Sequence, residues 1–195
     1  MKQSAAILAG GAARRFDGRD KSALVVDGRT ILDRQVTELA SIVDDVLLVG
    51  GQATHPAARH IDDLVPGCGP LGGLHAALTA TDGGSVVLVA CDMPYVTAPF
   101  IAYLLSLGNT ADIVIPQTER GYHPLCAVYS RNCLEAVTAR LAERRLKMTE
   151  LLADVRVHCV SAEEVGRFGN CHRLLANVNT PGEYAGLETL QSHEP

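Results

Sequence analysis

Apolar residues in this chain come in short, β-branched blocks separated by amphipathic stretches. Residues 4–8, Asp45–Val49 and Ser85–Ala90 are such blocks and predict strands. Ser85–Ala90 reads SVVLVA, a continuous apolar run of the kind found in strands buried on both faces. Ile31, Leu32, Val36, Leu39 and Ile42 recur at helical spacing and predict a helix over 31–42. A second helix is predicted over 71–81, entered through Gly69 and Pro70. A third spans 98–107, with Pro99 in its first turn, where proline is tolerated. Two strands follow at 112–115 and 125–129, then helices at 131–144 and 148–152. A strand at 155–160, a short strand at 174–178 and a terminal helix at 181–190 behind a Thr180 N-cap complete the pattern. Residues from about 191 to 195 read as a loose tail. No internal repeat, linker or low-complexity segment interrupts residues 1–195, which read as one domain.

Strand and helix alternate through the first two-thirds of this order. That pattern predicts an α/β fold with a mainly parallel sheet covered on both faces. Sheets of this kind bind ligands outside the carboxyl ends of their strands. Candidate chemistry therefore belongs just after the strands, as it does for the first strand and for Ser85–Ala90.

Composition narrows the class. Hydrophobic residues make up 47% of the 195, charged residues 20% and aromatic residues 4%, so the core is aliphatic and the chain globular. A net charge of −5 and the lack of a broad basic face argue against nucleic acid as a partner. Basic residues gather at Arg14, Arg15, Arg19 and Lys21, and again at Arg140, Arg144, Arg145 and Lys147. The second group reads as a solvated helix face. The six cysteines form no CxxC pair, which leaves a zinc ribbon or thioredoxin-type motif without support. The start of the chain lacks a secretory pattern, and its longest apolar run is too short to span a bilayer. The expectation is a cytoplasmic protein with reduced thiols and no membrane contact.

The turn after the first strand reads Leu8-Ala9-Gly10-Gly11-Ala12-Ala13-Arg14-Arg15-Phe16-Asp17-Gly18-Arg19-Asp20-Lys21. Paired glycines let backbone N–H groups approach a ligand, and exposed amides of this kind favour anions. Arg15 and Lys21 add full positive charge suited to phosphates. The spacing is neither GxxxxGK[ST] nor GxGxxG. A plain tight turn with solvated cations is the alternative for the glycine pair alone. After Ser85–Ala90 comes Cys91-Asp92-Met93-Pro94, placing a carboxylate at a strand tip. Magnesium takes oxygen ligands, often one or two carboxylates plus substrate phosphates, so Asp92 is the candidate metal ligand. The alternative is an aspartate that merely starts a turn. Cys91 reads as a small core residue, because a neighbouring carboxylate raises a thiol pKa. His75 and His123 read as structural or rim residues.

Four segments resemble one family. The glycine-rich turn resembles the LAGGxxxRMGxxK signature of nucleotidyltransferases, matching at Leu8, Ala9, Gly10, Gly11, Arg15 and Lys21 but with Phe16-Asp17 in place of Met-Gly. Asp62-Asp63-Leu64-Val65-Pro66-Gly67-Cys68-Gly69-Pro70-Leu71-Gly72-Gly73 resembles the GPLxG segment of the molybdenum cofactor guanylyltransferases. His123-Pro124-Leu125-Cys126-Ala127-Val128-Tyr129 resembles their [EH]PLxAxY strand, and Asn177-Val178-Asn179-Thr180-Pro181 their NVNTP segment. Gly50-Gly51 departs from the asparagine many members carry after the second strand. The resemblance covers roughly 4–190.

It implies a three-layer, Rossmann-like nucleotidyltransferase fold of the GT-A-like kind. It further implies magnesium-dependent transfer of GMP from GTP to the terminal phosphate of molybdopterin. Lys21, Arg15 and Asp92 would then be catalytic, with Asp92 holding Mg²⁺. Leu8, Ala9, Gly10, Gly11, Lys21, Asp63, Gly69, Pro70, Leu71 and Asp92 would bind the nucleotide, with Asp62 the alternative to Asp63. Asn177 and Asn179, alternating on a short strand, would contact the acceptor or support the metal site. Transient contact with molybdenum cofactor enzymes or chaperones also belongs to what the family implies. The competing readings are a molybdopterin cytidylyltransferase, a sugar-phosphate pyrophosphorylase and a nucleotide-binding module without catalysis.

Overall fold

The structure, a computed structural model, describes residues 3–10, 24–82 and 84–178. The expected helix at 181–190 lies outside the described residues. The strands are β1 (Gln3–Leu8), β2 (Val25–Val26), β3 (Arg29–Thr30), β4 (Asp45–Val49), β5 (Arg59–Ile61), β6 (Ser85–Ala90), β7 (Ile113–Thr118), β8 (Gly121–Tyr122), β9 (Cys126–Ser130) and β10 (Val157–Ser161). The α-helices are α1 (Ile31–Ala40), α2 (Gly69–Ala80), α3 (Ala98–Ser106), α4 (Leu134–Ala142), α5 (Ala162–Gly166) and α6 (Cys171–Leu174).

The main sheet runs β10-β7-β9-β6-β1-β4-β5, with β8 paired to β7. Parallel pairing joins β5 to β4, β4 to β1, β1 to β6, and β7 to β10. β9 is antiparallel to both β6 and β7, so six strands share one direction, and β9 and β8 oppose it. The mainly parallel sheet expected from the alternation is present.

Side-chain parity explains the continuous apolar runs. Ala5, Ile7, Val46, Leu48, Val87 and Val89 pack under α1 and α3 through Leu32, Val36, Leu39, Phe100 and Leu104. Their neighbours Ala6, Leu8, Leu47, Val49, Val86 and Leu88 pack under α2 and α4 through Leu71, Leu74, Leu78, Val137 and Leu141. Both faces of the central strands are therefore dry, and three layers result.

Four local expectations are corrected. Residues 174–178 do not form a strand. Asn170 Oδ1 instead accepts the N–H groups of His172 and Arg173 at 3.0 and 3.2 Å and starts α6. Helix 131–144 divides into a 3₁₀ turn at Arg131–Cys133 and α4, while the helical segment expected at 148–152 is present as a 3₁₀ helix at Met148–Ala153. In the basic group at 140–147, Arg144, Arg145 and Lys147 are exposed as expected, but Arg140 is not. Arg140 is only 2% exposed and ion-pairs with Asp154 and Glu150, and Arg144 Nη1 reaches Cys68 Sγ at 3.5 Å. Finally, the β2–β3 hairpin and β5 are additions to the expected elements. The hairpin turns on Asp27-Gly28, both at positive φ (50° and 78°), as a tight two-residue turn requires.

Candidate active site

Register brings three turns to one level of the sheet. Leu8 pairs with Ala90 on one side and Val49 on the other. Gly10, Gly50-Gly51 and Cys91-Asp92 therefore all emerge one or two residues past that line, at the carboxyl ends of β1, β4 and β6. The chain crosses from one side of β1 to the other between β5 and β6, the arrangement that opens a binding crevice in sheets of this type.

The Asp92 turn is held by distant segments. Asp92 C=O accepts Val178 N–H at 2.8 Å, and its Oδ1 accepts the Asn177 side-chain amide at 3.3 Å. Cys91 N–H donates to Leu8 C=O at 3.4 Å, and Ala90 N–H to Leu125 C=O at 2.9 Å. Pro124 and Leu125 of the HPL segment thus lie beside the turn, and Asn177 reaches it without the strand expected there. Gln35, a residue the sequence reading did not single out, donates from Nε2 to the carbonyls of Ala90 (2.7 Å) and Met93 (2.9 Å). Its position among Ile31, Leu32, Val36 and Leu39 on the buried face of α1 was the available signal.

The glycine turns are held by backbone closeness. Ala9 and Gly10 N–H both donate to Val49 C=O, at 3.0 and 3.1 Å. The Gly10 amide is therefore engaged within the sheet, which corrects the expectation that it faces phosphate. Gly10 lies against the Gly50-Gly51 turn, where a Cβ would stand 3.4 Å from Gly51 N, in ordinary contact. Gly51 has φ +66°, and a Cβ on it would meet Ala9 O at 2.6 Å. The departure at Gly50-Gly51 thus has a steric cause. Gly11, Arg15, Lys21 and Asn179 lie outside the described residues.

At the start of α2, Asp63 Oδ1 accepts Val65 N–H at 3.2 Å, tying the 62–68 turn together. A Cβ on Gly72 would lie 3.0 Å from that same oxygen, and one on Gly73 would lie 2.5 Å from Leu8 Cδ2. The two glycines let α2 settle against β1 and the turn. Asp62 is exposed and Asp63 half-buried. Gly69 (φ +59°) and Pro70 are exposed, whereas Leu71 is fully buried. Leu8 and Ala9 are buried in the same way.

Nearby titratable groups are poorly suited to nucleophilic or acid–base work. Burial pushes the Cys126 thiol up to about 12. His123 sits below its ordinary value through burial and the neighbouring Arg120, and its Nε2 is 2.9 Å from Thr118 Oγ1. His75 Nδ1 is buried with no partner among the described residues. A cleft of about 360 Å³ opens beside Pro94–Thr97, walled by Arg29, Arg34 and Arg173. Its cations are engaged within the chain. Arg29 pairs with Asp33 at 2.6 Å, Arg34 with Asp27 at 3.2 Å, and Arg173 stacks 4.5 Å from the Tyr95 ring centroid.

A three-layer α/β sheet with a glycine turn, a strand-tip aspartate and a glycine-rich helix entry at one carboxyl edge defines the nucleotidyltransferase class. The model for the MobA-like NTP transferase domain matches residues 5–159, and the chain belongs to that family. It is 31% identical over 186 residues to a probable molybdenum cofactor guanylyltransferase of Pelotomaculum thermopropionicum, covering 94% of this chain and 90% of that one. It is 32% identical over 186 residues to a molybdenum cofactor guanylyltransferase of Desulfosudis oleivorans, covering 93% and 92%. The crystal structure of molybdopterin-guanine dinucleotide biosynthesis protein A from Archaeoglobus fulgidus shares the fold, with a TM-score of 0.84 at 24% identity over 98% of this chain and all of that one. Among the described residues no helix is long and apolar enough to cross a membrane.

Proposed function

We propose that the protein transfers GMP from GTP to the terminal phosphate of molybdopterin, giving molybdopterin guanine dinucleotide and pyrophosphate. The observation that carries this reading is the Leu8–Ala90 register, which sets the Gly10 turn and Asp92 side by side at the carboxyl edge. The names of the two relatives support guanine over other bases.

An oxygen of the acceptor phosphate attacks the α-phosphorus, the bond to the β-phosphate oxygen breaks, and pyrophosphate leaves. The acceptor is already ionised near neutral pH, since a phosphomonoester's second pKa is about 6, so no general base is needed. Positioning and charge neutralisation dominate such transfers. Lys21 and Arg15 neutralise the triphosphate, and the amide of Gly11 and those after it cradle its oxygens. The main chain of Gly69, Pro70 and Leu71 receives the base, with Asp63 or Asp62 beside it. Asn177 and Asn179 flank the acceptor phosphate.

The donor set at Asp92 fits a magnesium ion that takes most of its ligands from elsewhere. Among the described residues no three His, Cys, Asp or Glu side chains gather, so an all-protein cage is absent there. One carboxylate with substrate phosphates and water is a donor set that magnesium commonly uses. Bound at Asp92, Mg²⁺ supplies the positive charge that stabilises the reacting and departing phosphates.

The test is pyrophosphate release from GTP, CTP, ATP and UTP with molybdopterin and magnesium. GTP is expected to give the fastest release. Preference for CTP would make the protein a cytidylyltransferase, and no release from any nucleotide would leave a binding module.

A further inference from the structure

α1 turns Leu32, Val36 and Leu39 toward the sheet and Ile31 toward Val26 and Tyr95, and Gln35 sits among them, only 2% exposed. An amide in that place carries a cost. Gln35 Oε1 is buried with no partner among the described residues, a penalty an aliphatic residue of equal length would avoid. What the amide gains is specific. Its NH₂ group spends both hydrogens on one turn, at Ala90 O (2.7 Å) and Met93 O (2.9 Å), the two carbonyls that bracket Cys91 and Asp92.

The turn does not need Gln35 to close, because Met93 N–H already donates to Ala90 O at 3.3 Å. The added bonds fix where the closed turn sits relative to α1. Residues on either side of Gln35 extend the grip. Arg34 Nε donates to Pro94 O at 3.2 Å, and Glu38 Oε2 accepts Ala98 N–H at 2.6 Å, at the start of α3. One helix thus clamps the end of β6 and the segment after it at four points.

We propose that Gln35 is a positioning residue for the Asp92 carboxylate: it sets the main chain on both sides of Asp92 so that the side chain meets a divalent cation at the correct place. This rests on the nucleotidyl-transfer reading above, and the experiment separates the two. Gln35 acts through the backbone of the turn, whereas Asn177 touches the carboxylate itself at 3.3 Å.

The experiment uses Mn²⁺ as the probe, bound to the full chain with GTP and no acceptor, and measured by electron paramagnetic resonance. The half-saturating Mg²⁺ for turnover, the KM for GTP and the thermal melt are measured in parallel. Gln35→Met keeps the volume and removes the donors. It is expected to weaken Mn²⁺ binding and raise the half-saturating Mg²⁺ by roughly tenfold, the scale seen when groups that orient metal ligands are lost. The KM for GTP, measured at saturating Mg²⁺, should stay within about twofold, because the metal site is then filled and Gln35 touches only the main chain of the turn. A folded Gln35→Met protein with wild-type Mn²⁺ affinity overturns the proposal.

Should Gln35→Met fail to melt cooperatively, Gln35→Glu replaces it. The carboxyl group that this substitution introduces can donate to one carbonyl when protonated and repels both when ionised. Mn²⁺ affinity of the Gln35→Glu protein relative to wild type must then rise as pH falls from 8 to 6, and a constant ratio of one overturns the proposal. Asp92→Ala is the control for the parent reading. If Asp92→Ala still binds Mn²⁺ with GTP, the metal assignment fails; if it does not and Gln35→Met does, only the positioning role fails.

Discussion

The turn after β6 and the turns after β1 and β4 leave the sheet at the same level, yet they are held in opposite ways. The Asp92 turn is fastened by groups from far along the chain: Gln35, Leu8, Asn177 and Val178. The Gly10 and Gly50-Gly51 turns are fastened by lying against each other, and a side chain on Gly51 would run into the Ala9 carbonyl. A polar tether can be lost one bond at a time. A close backbone approach fails all at once when a single carbon is added. The first design suits a residue whose carboxylate must be aimed, and the second suits a loop whose main chain must come near a ligand.

Four experiments probe the contrast between tethered and close-packed turns. The largest effect is expected from Asp92→Ala, which should cut kcat by roughly 10²–10³, the scale of losing one preorganised charge-stabilising group, while the thermal melt is preserved. Near-normal turnover in magnesium would end its catalytic assignment. Gly51→Ala should come next. It sets a methyl 2.6 Å from Ala9 O at φ +66°, so a loss of about 2–3 kcal/mol in urea unfolding is expected. Gly67→Ala shares the positive φ (+78°) but meets nothing within 4 Å, and should cost only about 1 kcal/mol. Equal losses from the two would show that close approach is not what holds the glycine turns.

Asn177→Ala removes one tether from Asp92 Oδ1 and leaves the others. A drop of roughly fivefold to tenfold in kcat is expected, matching about 1 kcal/mol for a single hydrogen bond, and Tm should hardly move. The smallest effect tests regions away from both turns. Asp112 and Glu164 are each held down at about 2, Asp112 chiefly by hydrogen bonds from Arg156 and Glu164 chiefly by the Ser161 N–H. Their ordinary values are 3.8 and 4.5, so their native-state contribution is complete above about pH 4.5 and is lost as pH falls toward 2. Both residues keep partial contact with solvent, which screens these interactions, so Tm should decline by only a few degrees across that window. Asp112→Asn with Glu164→Gln should flatten the slope, and an unchanged slope would place the acid sensitivity elsewhere.

Much of this was legible in the chain. Ser85–Ala90 announced itself as a doubly buried strand, and Asp45–Val49 fell where its apolar run ends. Asp92 stood out as a charge at the end of the most apolar segment. The tethers were not legible, because nothing in local spacing says that residue 35 or 178 will meet residue 92. Gln35 left a trace as a polar residue in an apolar stripe, but that pattern alone names no partner. Other misses were local and avoidable. Asp27-Gly28 between valines and Arg29-Thr30 is a hairpin signal. Ser161 and Glu164 form the capping box that starts α5. The strand expected at 174–178 failed because Asn170 caps a helical turn and Val178 spends its N–H on Asp92 rather than on a neighbouring strand. The glycines were visible as glycines, whereas their cause, Gly51 against Ala9, needed the pairing of β1 with β4.

The hydrogen bond from Val178 to Asp92 has a consequence for biosynthesis. A ribosome releases residue 92 long before residue 178, so a growing chain can stack its central strands while this corner still lacks its last fastening. Competence for chemistry would then arrive late in synthesis, after the scaffold, and a chain cut short near residue 170 should look native by circular dichroism yet be idle as a catalyst.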